Sequence, residues 1–290
     1  MARIAGSAAL IAVAVLAALT GPARPAAADA RPGFYLDLGA SVSLGVQPTG
    51  GVPREAPTAD GYANDLVAEQ AALGDPLRLV QLGCPGETVT ALVEGGGRCY
   101  RPGDSQLAEA VSFLHDHADD RGLVTIDIGF DDVDACLWHH TVDPACVDAG
   151  LAAVAGELPQ ILGALHAAAG EDVRLIGVGA YDPFLADAAR DPSDPAFALA
   201  SEAVIARLNS TLSAAFGAAG IPMVDVASIF AGQDPRDAAD DPATLAALAE
   251  HTCALTWMCA AVPFGPNIHP NDQGYEAIAL AIEAKLPHDD

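Results

Sequence analysis

The chain has 290 residues, 51% of them hydrophobic, enough to bury one large core and too apolar for a disordered polymer. Its 13 Lys+Arg stand against 39 Asp+Glu, a formal net charge of −26. A surface this acidic repels phosphate backbones and anionic headgroups, which excludes nucleic-acid binding.

The first thirty residues read as a secretory signal peptide. Arg3 supplies a short positive region, and an apolar and small-residue run follows from Ile4 to Leu19. Gly21-Pro22 then breaks the helix ahead of two A-x-A-type sites ending at Ala28 and Ala30. The run is short for a membrane span, and no later apolar stretch is expected to approach 18 residues. Residues 1–30 are therefore taken as the signal and residues 31–290 as one domain, secreted, soluble and without stable membrane insertion.

Five short apolar runs follow, at Phe34–Leu38, Leu77–Leu82, Leu123–Ile128, Val173–Val178 and Met223–Val226. Several are nearly continuous in Val, Ile and Leu, as expected of strands covered on both faces. Helical patterns alternate with them, at Gly61–Leu73, Ser105–His117, Val147–Ala169, Pro195–Ala219 and Asp272–Lys285. In the second of these, Leu107, Val111 and Leu114 recur at helical spacing behind an N-cap at Asp104 or Ser105. Alternation of this kind predicts an α/β fold with a mostly parallel five-stranded sheet between helical layers. The segment Ala231–Leu248 is expected to be a short surface helix and loop.

The six cysteines fall by spacing into three local pairs, Cys84 with Cys99, Cys136 with Cys146, and Cys253 with Cys259. Disulfides suit export, and no C-x-x-C pair suggests zinc. Each pair brackets or adjoins a loop that carries chemistry, so the bridges are expected to hold those loops in place.

In open parallel sheets the working residues lie beyond the carboxyl ends of the strands. After the first strand comes Gly39-Ala40-Ser41, a serine behind a tight turn, well placed as a nucleophile. After the second comes Gly83-Cys84-Pro85-Gly86, where Gly86 can present a bare backbone N–H. Gly129-Phe130-Asp131-Asp132 follows the third strand, and Asn267-Ile268-His269-Pro270-Asn271 precedes the last helix.

These four ordered blocks resemble the SGNH hydrolase family, also called the GDSL esterase/lipase family, in its secreted, disulfide-containing form. The resemblance runs from Phe34 to about Leu286. It implies a three-layer α/β/α sandwich, a serine esterase without cofactor or metal, and roles for particular residues. Ser41 becomes the nucleophile and His269 the general base. The N–H groups of Ser41 and Gly86, with the side chain at position 131, become the oxyanion hole. Three positions depart from the family pattern. Ala40 replaces a supporting Asp. Pro266 stands where the triad acid belongs, so its carbonyl is the expected orienting group of a Ser41–His269 dyad. Asp131 replaces an Asn that donates to the oxyanion; an ionised carboxylate cannot donate, although Asp132 and Asp134 nearby would raise its pKa.

A literal Gly103-Asp104-Ser105 also occurs, but no strand precedes it and a helix follows, so it reads as a helix start. Asp131, Asp132, Asp134 and His139 match no metal-ligand spacing. Trp138 and Trp257 are assigned to packing around the disulfide loops, and His139-His140 to a solvated loop. Tyr181-Asp182-Pro183-Phe184, after the fourth strand, either lines the pocket or turns the chain. The expected activity is hydrolysis of a small-molecule, lipid or glycan ester by a monomer. The alternative is a weakened SGNH-type protein that binds a cell-envelope glycan or lipid.

Overall fold

The computed structural model describes residues 33–236 and 241–286, apart from the side chain of Trp138. The expected signal peptide at residues 1–30 lies outside them. The central sheet contains β1 (Gly33–Gly39), β4 (Leu77–Gln81), β5 (Gly122–Asp127), β6 (Val173–Val178) and β7 (Met223–Val224), all parallel, in the order β4-β1-β5-β6-β7. A separate antiparallel hairpin pairs β2 (Val46–Pro48) with β3 (Glu55–Pro57).

Alternation along the strands sorts the core into two layers. Phe34, Leu36, Leu38, Val124 and Ile126 point to one face. There they meet α2 (Val89–Glu94), α3 (Gln106–Asp116), α5 (Pro144–Ala168) and α7 (Ala196–Ala218). Tyr35, Leu123, Ile176 and Val178 point to the other, against α1 (Tyr62–Ala72), α8 (Val226–Ala231) and α10 (Asp272–Glu283). Each such side chain taken fully out of water contributes on the order of 1.5–3 kcal/mol. The α5 helix is long and apolar enough to span a membrane by composition alone. Here Val147, Val154, Leu158, Ile161 and Leu165 bury one face of it in the core.

The five expected strands and the long helices all form, with ends shifted by a few residues. The expected short surface helix near 231–248 is corrected: α9 (Pro242–Leu255) starts at an Asp241 cap and runs 14 residues. Leu245, Leu248 and Ala249 on that helix build a small core of their own with Leu185, Ala198 and Ala188 of α6 (Asp187–Arg190). The α2 helix and the hairpin carry too few residues to show periodicity and were not anticipated.

The chain leaves β1 for β4 on one side, then crosses to β5 on the other side of β1. The order reverses between β1 and β5, and the crevice at such a switch point is where ligands of open α/β sheets bind.

Candidate active site

The reversal brings together the ends of β1 and β5. Beyond β1 the chain turns sharply, with Leu44 and Val46 both donating to the Ser41 carbonyl (3.2 and 3.1 Å). The two strand ends touch. Ala40 N–H donates to the Asp127 carbonyl at 3.0 Å, and a Cβ on Gly39 would stand 1.9 Å from the same oxygen. Gly39 has φ +138°, so glycine is required there both for space and for backbone conformation. Gln106, the first residue of α3, accepts from Gly39 N–H (2.6 Å) and donates to its carbonyl (3.0 Å). The preceding Ser105 caps α3 through Ala108 N–H, so the literal Gly-Asp-Ser is a helix start, as expected.

His269 arrives on the loop before α10, which Asn271 caps. The ring is buried and its Nε2 lies 2.9 Å from Ser41 Oγ. Its Nδ1 lies 2.9 Å from Asn267 Oδ1, which also accepts the backbone N–H of His269 at 3.0 Å. The expected orienting carbonyl of Pro266 is thus corrected. An Asx-type turn puts the Asn267 side chain against the ring, and Pro266 instead lines a neighbouring cleft. An acceptor at Nδ1 fixes that nitrogen as the protonated one and leaves the Nε2 lone pair facing Ser41. Burial lowers the His269 pKa, against a smaller rise from the Glu55 carboxylate.

Ser41, His269, Asp127, Asp131, Tyr181 and Ile268 line a recess of about 30 Å³. Of the two roles left open for it, Tyr181 takes the first: it lines the recess, and its hydroxyl donates to the Ile268 carbonyl at 2.7 Å. Asp131, at the start of α4 (Asp131–Asp134), has its pKa raised to about 7, first by burial and then by Asp134 and Asp132. Asp127 is pushed to about 8, by burial and then by Asp37; its Oδ2 has no hydrogen-bond partner among the described residues. The loop after β4 hangs from the end of β1 by Cys84 N–H to the Gly39 carbonyl (3.0 Å). Gly86 turns at φ +81° with open space where a Cβ would be. Asp132 accepts Val89 N–H at 3.1 Å and so ties the Asp131 segment to that loop.

Ile268 also borders a cleft of about 250 Å³ formed with Leu137, Phe184, Phe197, Met258 and Pro266. The larger cleft of about 700 Å³ along α7, around Glu202 and Asn209, contains neither Ser41 nor His269. The three disulfides pair as expected, Cys84–Cys99, Cys136–Cys146 and Cys253–Cys259. Trp257, between the last two cysteines, donates from its ring to Gln47 Oε1 at 2.9 Å. His139 and His140 end a short 3-10 helix at positive φ. Among the described residues no three His, Cys, Asp or Glu side chains gather into a metal-binding group.

Residues 38–277 match the GDSL-like lipase/acylhydrolase family. The chain belongs to that family. Comparison with curated proteins finds no match. Among solved structures, the family member is similar in fold to an extracellular lipase from Streptomyces rimosus, with TM-score 0.58 and 17% identity over 88% of this chain and 100% of that one. It is similar to phospholipase A1 from Streptomyces albidoflavus, with TM-score 0.55 and 18% identity over 88% and 100%. A catalytic mutant of an acetylxylan esterase from Geobacillus stearothermophilus gives TM-score 0.50 and 14% identity over 89% and 95%.

Four residues that bear on the site escaped the sequence: Asn267, Glu55, Gln106 and Asp127. Only Asn267 left a local signal, the Asn two residues before a His, which favours an Asx turn.

Proposed function

We propose that this GDSL-family protein is an exported serine hydrolase that cleaves carboxylic esters through an acyl-enzyme. The observation that carries the reading is the pairing of Ser41 Oγ with His269 Nε2 at 2.9 Å, with Nδ1 already held by an acceptor at 2.9 Å. Ser41 attacks the ester carbonyl while its proton passes to Nε2. The imidazolium then protonates the leaving alcohol. In the second half, His269 takes a proton from water, which attacks the acyl carbon, and the imidazolium returns that proton to Ser41 Oγ as it leaves. The N–H groups of Ser41 and Gly86 donate to the oxyanion, and Asp131 adds a third donor while it is protonated. The signal-like leader and the three disulfides support export.

The test is p-nitrophenyl acetate hydrolysis near pH 6 by wild type and Ser41→Ala. A loss of about 10³-fold or more is expected. Undiminished turnover in Ser41→Ala would overturn the reading, and absence of turnover in wild type would leave a binding protein for envelope glycans or lipids.

A further inference from the structure

Family resemblance places no acid on the β2–β3 hairpin, yet one reaches the His269 ring from there. Glu55 begins β3, paired across the hairpin with Pro48. Its Oε2 lies 2.9 Å from Asn267 Nδ2 and 3.5 Å from His269 Nδ1. Among the described residues no other carboxylate lies within ion-pair distance of that ring. The hairpin is itself fixed to the histidine's neighbourhood. Gln47 on β2 accepts from the Trp257 ring and donates to Asp272 Oδ1 at 2.9 Å, while Trp257 N–H donates to the His269 carbonyl at 3.0 Å.

We infer that Glu55 is a positioning residue for the proposed reaction and stands in for the missing triad acid by acting through Asn267. This rests on Ser41 and His269 being nucleophile and base. An amide can present either end, and here only one end suits each neighbour. The carboxylate takes the NH₂, so the carbonyl must face His269, where it accepts both the backbone N–H and the Nδ1–H. With the amide reversed, two donors would meet at His269 and the Glu55 carboxylate would face an oxygen. Glu55 also acts by charge. When His269 takes the Ser41 proton on Nε2, the imidazolium forms 3.5 Å from a carboxylate, and the Nδ1–H stays on the ring with no transfer to Asn267 or Glu55. The effect is moderate because the Glu55 side chain is 44% exposed. The ionisable groups around the ring are Glu55 on the hairpin side and Asp131 and Asp127 across the recess.

The experiment compares wild type, Glu55→Gln, Glu55→Asp, Asn267→Ala, Glu55→Gln/Asn267→Ala and Ser41→Ala on p-nitrophenyl acetate from pH 4 to 9. Glu55→Gln is expected to lower kcat about tenfold with KM within about twofold. The acid limb of kcat/KM should move to lower pH, because removing a nearby negative charge makes the imidazolium easier to deprotonate. Glu55→Asp should recover part of kcat. In the Asn267→Ala background, adding Glu55→Gln should cost less than about threefold more, since the relay is already cut. The Nδ1–H proton resonance should move upfield in Glu55→Gln, a readout independent of turnover. An unchanged kcat and acid limb in Glu55→Gln, or the same tenfold loss in both backgrounds, overturns the inference. If Ser41→Ala stays active, the underlying reading has failed instead, and that outcome is separate from the first two.

Discussion

Gln106 holds Gly39 by both of its backbone groups, accepting its N–H at 2.6 Å and donating to its carbonyl at 3.0 Å. A helix in the next layer thereby grips the strand two residues before the nucleophile. Gln106→Leu leaves the buried Gly39 N–H unpaired, at a cost of about 1–3 kcal/mol, while the Gly39 carbonyl keeps the Cys84 N–H. The expected outcome is a stability loss of that order by urea unfolding, together with about a tenfold fall in kcat as the Ser41 turn loosens.

In the proposed reaction Asp131 and His269 set opposite limbs of the pH profile. His269 must be neutral to accept a proton, and burial lowers its pKa, so the base is ready on the acid side of neutrality. Asp131 donates only while protonated, and its pKa lies at about 7. Activity should therefore peak at mildly acidic pH and fall above about pH 7 as the donor is lost. Asp131→Asn should keep its activity at pH 8.5 and exceed wild type there by about 10- to 100-fold. A wild-type profile that keeps rising to pH 9 would contradict this role.

Stability should also favour acid. Asp37 is raised to about 7 and Asp127 to about 8, each mainly by burial, on neighbouring strands of one face. Asp182 and Glu202 are raised to about 7 and about 8. Between an unfolded pKa near 4 and these folded values, the native state holds more protons than the unfolded chain, so stability falls as pH rises. Scanning fluorimetry should show Tm at pH 5 above that at pH 8.5 by more than about 5 °C. Asp127→Asn should flatten the slope, and a Tm that climbs with pH would refute the account.

The recess beside Ser41, at about 30 Å³, is room for a methyl group or one or two waters. Acetyl esters should outrun octanoyl esters by at least about tenfold in kcat/KM, measured on p-nitrophenyl substrates. Val178→Ala or Ile278→Ala, which enlarge the recess wall, should narrow that ratio.

Cys84 is buried two residues from Gly86, and its bridge to Cys99 closes a loop of sequence separation 15. Mild reduction should lower turnover before far-ultraviolet circular dichroism changes, because in the proposed reaction the loop carries a donor while the sheet carries the fold. Cys84→Ser/Cys99→Ser should lose about 3 kcal/mol of stability. Simultaneous loss of activity and helicity would argue that the bridge only holds the fold.

The layer order and the reactive pair were readable because both leave local marks. Strands covered on both faces write runs such as Val173–Val178, and helices such as α3 write caps and spacing. Ser41 and His269 each stand at a fixed offset from a strand end or helix start. The orienting group was not readable in the same way. Pro266 matched the family's offset, but Asn267, one residue on, reaches the ring because an amide side chain can fold back on the His269 backbone. Glu55 lies 214 positions before His269 in the sequence, and Gln106 is 67 residues from Gly39. No periodicity or spacing links positions that far apart. The pKa of Asp131 was foreseen in direction from its acidic neighbours, yet burial is the larger cause, and burial belongs to the folded state.

Gly39 acts as a ruler whose length is set by a missing atom. A Cβ there would fall 1.9 Å from the Asp127 carbonyl, so any side chain would wedge the nucleophile strand away from the strand that delivers Asp131. The side chains around it do not set that spacing: Ala40 carries no acid, Asp131 no amide, and Asn267 holds the His269 ring from a separate loop. The gap between the two strand ends is set by the backbone contact of Gly39 and Ala40 with Asp127. A residue that does no chemistry thus fixes where the chemistry can happen, and Gly39→Ala should cost both turnover and stability.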